Sequence, residues 1–144
     1  MPCSIASVLA DRVFFTLPST VTAREAAQFL ADKEIGAITI VDDGRLVGVL
    51  SERDLVFRII AGGADADRVR VADIMTRDPI TVQAAETLSS ALATMRDRKI
   101  RHLPVMDGAA LVGMMSIRDV FAAMKNELEH DLTEREAMIF GMPM

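Results

Sequence analysis

Two short runs in this sequence carry the side chains needed to hold a phosphorylated sugar: Ser51-Glu52-Arg53-Asp54 and Ser116-Ile117-Arg118-Asp119. Each offers a hydroxyl, a guanidinium and a carboxylate. An ionised carboxylate can accept from both hydroxyls of a ribose, as the acid of dinucleotide-binding folds does. An arginine fork suits phosphate oxygens, and exposed N–H groups at a helix start hydrogen-bond further acceptors. The same residues have a plain structural use. Ser51 and Ser116 make good N-caps, and Asp54 and Asp119 three residues on suit the positive end of a helix.

The two runs belong to a longer pattern that occurs twice at a constant offset of 65 residues. Leu46-Val47-Gly48 precedes the first and Leu111-Val112-Gly113 the second, and the same offset pairs Arg12 with Arg77, Thr22 with Thr87, Ala26 with Ala91 and Ile35 with Ile100. A fixed offset held over that distance means one structural unit built twice. Gly48 and Gly113 weaken the strands they interrupt, and such a glycine often marks close approach of another backbone or of a ligand. The copies differ where Arg101-His102-Leu103-Pro104 replaces Gly36-Ala37-Ile38-Thr39. Arg101 and His102 bring a guanidinium and an imidazole to the neighbourhood expected for Asp119. The cleft holding Asp119 is therefore the better phosphate site, and the one holding Asp54 lacks that charge.

These residues need elements to position them. Thr22-Ala23-Arg24-Glu25 reads as a capping box opening a helix to Lys33, with Ala26, Ala27, Phe29, Leu30 and Ile35 along its apolar stripe. Residues 37–41 and 46–50 read as strands joined at Asp42-Asp43-Gly44, and Ser51 starts a helix to about Ile60. A short extended piece at Thr16-Leu17 precedes them. The second copy repeats the order, with a helix from Thr87 to Arg98, strands over 102–106 and 111–115, and a helix from Ser116 to about Glu129. Short leading helices are expected at 5–11 and 71–75. The expectation is an α/β (α+β) fold of two pseudo-twofold-related β-α-β-β-α repeats packed through their sheets. Repeat one spans 1–62 and repeat two 71–126, with a linker at 63–70 and a helical extension at 127–144. Equivalent loops then face each other across two matching clefts, which are natural ligand positions.

The sequence has 144 residues, a net charge of −5 and a pI near 5, which disfavours broad nucleic-acid binding. With no Trp or Tyr and few Phe, it offers no stacking platform for single strands. No apolar run is long enough for a membrane span and no secretory leader is visible, so a cytoplasmic location is expected. A lone cysteine, Cys3, reads as incidental.

The doubled order, with Ile-Arg-His-Leu-Pro-Val-Met-Asp at 100–107, Leu-Val-Gly-Val-Leu-Ser-Glu-Arg-Asp at 46–54 and Asp-Ile-Met-Thr at 73–76, resembles a tandem CBS (cystathionine-β-synthase-like) domain pair, or Bateman module. That resemblance covers nearly all of residues 5–125. It implies regulation by an adenosyl effector such as AMP, ADP, ATP, NAD(H) or S-adenosylmethionine, with no required cofactor and no metal. By position it implies that Asp119 holds the ribose hydroxyls, with Ser116 and Arg118 on the ribose and phosphate side. Met114 would line the base pocket with Pro104 nearby, Arg101 and His102 would face the phosphates, and Thr16 and Leu17 would close the cleft. The weaker second cleft would use Asp54, Ser51, Arg53 and Val49, with Thr81 and Val82 opposite; Thr39 stands there in place of the usual strand proline. The length leaves no room for a fused enzyme or channel, so the expected relatives are stand-alone modules that dimerise into a flat disc and signal to a partner protein.

An enzyme is the weaker reading. His102 and His130 are the only histidines, and no nucleophile–base set, metal-spaced cluster or phosphate-binding glycine loop is visible. The remaining alternative is a structural dimerisation module whose clefts stay empty.

Overall fold

Thr22 and Thr87 open the helices that the sequence assigns to them. In a computed structural model describing residues 4–10 and 12–140, Thr22 Oγ1 accepts from the Glu25 N–H at 3.1 Å and Thr87 Oγ1 from the Ser90 N–H at 3.1 Å. Cys3, Asp11 and residues 141–144 lie outside the described residues, as does the side chain of Phe140. The first of these helices, α2 (Ala23–Lys33), and its counterpart α5 (Leu88–Arg98) each end on a left-handed residue, Glu34 at φ 54° and Lys99 at φ 56°. The chain then turns into a hairpin: β2 (Ala37–Asp42) with β3 (Arg45–Ser51), and β6 (His102–Asp107) with β7 (Ala110–Ser116). Asp43 and Gly44 both take positive φ, the conformation of a tight hairpin turn matched to strand twist. Both hairpins carry a register shift at the same place, between Ile40 and Val41 and between Val105 and Met106.

The remaining elements in chain order are α1 (Ile5–Leu9), β1 (Thr16–Leu17), α3 (Glu52–Asp54), α4 (Val71–Ile74), β4 (Thr76–Arg77), β5 (Val82–Gln83) and α6 (Ile117–Phe140). One sheet has the order β1-β2-β3-β4 and the other β5-β6-β7, with β1 parallel to β2 and β5 parallel to β6. The two sheets approach each other through β3 and β7. This is the two-sheet α/β architecture expected of the doubled sequence.

The repeats are interlocked and not merely adjacent. Ile5 on α1 is fully buried with Val82, Leu88, Leu103, Val105 and Met115, the core of repeat two, although in sequence it belongs to repeat one. Its N–H donates to the Glu86 carbonyl and that of Ala6 to the Ala84 carbonyl, each at 2.9 Å. Reciprocally, Val71 and Ile74 on α4 and the adjacent Met75 join the core of repeat one, and β4 adds a strand to its sheet. The stretch before α4 is held down as well, through Ala66 and Val69 against that core and Asp67 paired with Arg24. Each small core is thus completed by a segment that lies next to the other copy in sequence, which suits units too short to bury enough apolar surface alone.

The exchange explains the strand glycines. A Cβ at Gly48 would stand 2.6 Å from Met75 Sδ and 2.9 Å from the Thr76 carbonyl oxygen, and one at Gly113 would meet Leu9 at 3.0 Å. The close approach is made by the exchanged segments.

Two element expectations need correction. After Ser51 only three residues are α-helical, and Leu55–Ile60 form a π-helical segment. The helix opened at Ser116 does not end near Glu129 but runs unbroken through 24 residues to Phe140, so the helical stretch expected of the tail continues it. No helix of the described residues is long and apolar enough to cross a membrane.

Candidate functional site

Both Ser-x-x-Asp runs form reciprocal caps. The Ser116 N–H donates to Asp119 Oδ2 at 2.9 Å and the Asp119 N–H to Ser116 Oγ at 3.2 Å; Ser51 and Asp54 repeat the pair at 2.9 and 3.2 Å. The capping use of these carboxylates is therefore real in both copies. It consumes one oxygen of each. The other oxygen of Asp119, Oδ1, accepts from Arg12 Nη1 at 2.5 Å, across 107 residues of chain. Arg77, the counterpart of Arg12, donates instead to the Ala72 carbonyl at 2.9 Å, and Asp54 has no ion pair among the described residues.

Around the Arg12–Asp119 pair lies a cavity of about 820 Å³. Repeat two supplies Arg101 and His102 at the entry to β6, Met114 on β7 and Ser116–Asp119 at the start of α6. Repeat one faces them with Leu30 and Glu34 from the end of α2, then Gly36, Glu52 and Leu55. The segment after α1 closes one side through Arg12, Val13, Phe14 and Phe15. Thr39 helps to fix that segment, since its fully buried hydroxyl donates to the Phe15 carbonyl at 3.0 Å.

Asp119, Ser116, Arg118, Met114, Arg101 and His102 all line this cavity. Thr16, Leu17 and Pro104 do not. Thr16 and Leu17 pair with Thr39 and Ile40 inside the first sheet, and Val13–Phe15 just before them take the wall position; Pro104 is buried opposite Met114 in the second hairpin. In the second set, Ser51 and Asp54 cap α3, and Arg53 lies over the Phe57 ring at 4.7 Å. Val49 pairs with Thr76, Val82 is buried in the core of repeat two, and Thr81 is exposed. Among the cleft residues that sequence reasoning missed are Arg12, Glu34 and Glu52. The Arg12–Arg77 repeat pairing was the available signal, but it marks a shared fold position and does not reveal a partner.

Burial acts most strongly on the Asp119 carboxyl and pushes its pKa up. The hydrogen bonds from Arg12 and from the Ser116 backbone and hydroxyl, with the Arg12 charge, outweigh it and hold the group below the usual carboxylate value. Asp119 is thus an anion at neutral pH. For His102, burial dominates and lowers the pKa, Glu52 and Asp119 pull it up, and Arg101 lowers it again, so the net shift is downward from 6.5. The imidazole is neutral at pH 7 and offers one donor and one acceptor. A folded pKa below the unfolded one means that stability is fully present above pH 6.5 and falls as acid protonates the unfolded ring first. We expect the His102 ring signals in an NMR titration to show a midpoint below 6.5, and His102→Gln to remove part of the stability lost on acidification through that window. Titration at or above 6.5 would contradict the burial argument.

Comparison with known proteins places this architecture. The CBS domain family model matches residues 5–61 and 71–126. The chain is 34% identical over 125 residues to the mitochondrial CBS domain-containing protein CBSX3 of Arabidopsis thaliana, covering 83% of this chain and 61% of that protein. It covers 58% of an uncharacterised Methanopyrus kandleri protein, so it spans about three fifths of these curated relatives. Among solved structures, a putative signal-transduction protein with CBS domains from Burkholderia ambifaria superposes with a TM-score of 0.81 at 28% identity, covering 85% of this chain and 93% of that one. A CBS domain protein from Pyrobaculum aerophilum, complexed with AMP, superposes with a TM-score of 0.74 at 35% identity, covering 81% and 89%. With both repeats matched and both cores completed by exchanged segments, the chain belongs to the CBS-domain family, as a tandem pair.

Proposed function

We propose that this chain is a regulatory module that binds an adenosyl ligand in the Asp119 cavity and signals its occupancy to a partner protein, without turnover. The observation that carries the reading is the division of labour at Asp119. One oxygen fixes the start of α6, while the other faces a cavity lined by Arg101, Arg118 and His102. A ribose diol is the natural acceptor-seeking group for that carboxylate, and the arginines suit a phosphate. The volume lies within the range of pockets that enclose small-molecule ligands. The AMP complex of the Pyrobaculum aerophilum relative supports the same ligand class.

A ribose reaching Asp119 must share Oδ1 with Arg12 or displace it. Arg12 follows α1, which is packed in the core of repeat two, so displacement transmits occupancy to the segment joining the repeats. A ligand that prefers one setting of that segment shifts the population toward it. The Asp54 cleft, with Ser51, Arg53, Val49, Thr81 and Val82, is the weaker site, having neither the Arg–His pair nor an arginine at its carboxylate.

Exposed Val56, Phe57, Ile60 and Phe121 follow the two capped aspartates and favour association of two copies through these segments. An assembly role with empty clefts is the competing reading. Calorimetric titration of AMP, ATP, NADH and S-adenosylmethionine, with mass spectrometry of any ligand released from the purified protein, separates the two. We expect saturable binding of an adenosyl ligand. Absence of heat with all four, and no released nucleotide, would leave only the assembly role.

A further inference from the structure

The cavity around Asp119 is charged in two senses. Its repeat-two wall carries Arg101 and Arg118 beside a neutral His102, while the guanidinium of Arg12 is already spent on Asp119. The wall from repeat one carries two carboxylates, Glu34 and Glu52. Among the described residues neither forms an ion pair. Glu52 is placed by its backbone, whose N–H donates to the Gly36 carbonyl at 2.9 Å. Its carboxylate then borders the same gap as the imidazole: a Cβ on Gly36 would stand 3.4 Å from Glu52 Oε1 and 3.8 Å from His102 Cε1. Ile117 holds the equivalent position in repeat two, so the acid is particular to this side of the main cavity.

We propose that Glu52, assisted by Glu34, is a specificity-determining residue that admits an adenosyl ligand with at most one phosphate and turns polyphosphates away. This rests on the adenosyl reading of the cavity. A single phosphate placed against Arg101 and Arg118 is balanced by their two positive charges. Each further phosphate adds negative charge that must lie toward the opposite wall, against two carboxylates that form no ion pair among the described residues, and at separations inside the Debye length that repulsion is only partly screened. Gly36 keeps that gap open, because any larger side chain there would fill the space between Glu52 and His102.

Tail charge is the variable to test, using the full chain and Glu52→Gln, an isosteric change at an exposed position. In calorimetry we expect wild-type affinity to fall about tenfold from AMP to ATP, and Glu52→Gln to narrow that AMP-to-ATP ratio about fivefold. ATP binding wild type as tightly as AMP, or an unchanged AMP-to-ATP ratio in the variant, overturns the proposal. A second arm dispenses with the nucleoside: inorganic phosphate and tripolyphosphate are titrated while the His102 ring signals are followed by NMR. Tripolyphosphate should bind wild type no more tightly than phosphate, and should gain in Glu52→Gln. If it binds wild type more tightly, or if neither anion moves His102 in either protein, the charge filter is wrong whatever the nucleotides do. If this arm behaves as expected while no nucleotide binds, the filter stands and the adenosyl reading falls.

Discussion

Asp119→Asn should weaken binding of the adenosyl ligand about 100-fold while the protein stays folded. Two charge-assisted hydrogen bonds to a ribose diol contribute about 1.5–3 kcal/mol each, and the cost of loosening Arg12 offsets part of that. A net loss of about 3 kcal/mol follows, equivalent to about two orders of magnitude in Kd. Asparagine keeps an oxygen able to accept from the Ser116 N–H, so the cap survives and only the charge facing the cavity is lost. Asp119→Ala removes both, and should add a stability loss of about 1 kcal/mol for the missing cap. The mirror change, Asp54→Asn, alters an equally good cap that no arginine faces, and should leave the main site within about twofold. Titration calorimetry and urea denaturation of the three variants check the pattern. Equal binding in wild type and Asp119→Asn would mean that this carboxylate serves its helix alone.

How far this site was legible follows from the range of the interactions involved. The N-caps at Thr22 and Thr87, the hairpins and the reciprocal caps at Ser51 and Ser116 are made within a few residues, and their spacing declares them. The asymmetry between Arg101-His102 and Gly36-Ala37 was equally plain, because a repeat supplies its own reference. What the sequence hid is long-range. Arg12 meets Asp119 only because α1 crosses to repeat two, and its twin Arg77 shows that the same repeat position can point at a backbone carbonyl instead. Gly48 looked like a ligand signal because a missing Cβ says only that something comes near; that something is Met75 and Thr76. The π-helical turn at Leu55–Ile60 shows the same apolar residues that an α-helix would, so no periodicity announces it. Thr16 and Leu17 fell short of the cavity because β1 is drawn into the sheet beside β2, leaving Val13–Phe15 to face it.

Ile5→Ala should destabilise repeat two by about 3 kcal/mol, within the range for truncating a fully buried isoleucine to alanine. By sequence Ile5 belongs to repeat one, so a fold of two self-contained repeats would place the damage there. The contacts place it elsewhere, since its neighbours are Leu88, Leu103, Val105 and Met115, and the backbone beside it is bonded to Ala84 and Glu86. Urea denaturation gives the size of the loss, and native-state amide exchange gives its place: faster exchange in β6, β7 and α5, with β2 and β3 following only to the extent that the repeats unfold together. Val71→Ala should do the reverse, since Val71 is equally buried in the core of repeat one. A loss below about 0.5 kcal/mol for Ile5→Ala, the level of an ordinary surface change, would contradict the exchange of leading helices, as would exchange that quickens first in β2 and β3. The same strap carries the ligand argument, because Leu9 packs against Gly113 and Arg12 reaches Asp119 just beyond it. Loosening α1 should therefore weaken the cleft along with the core it completes.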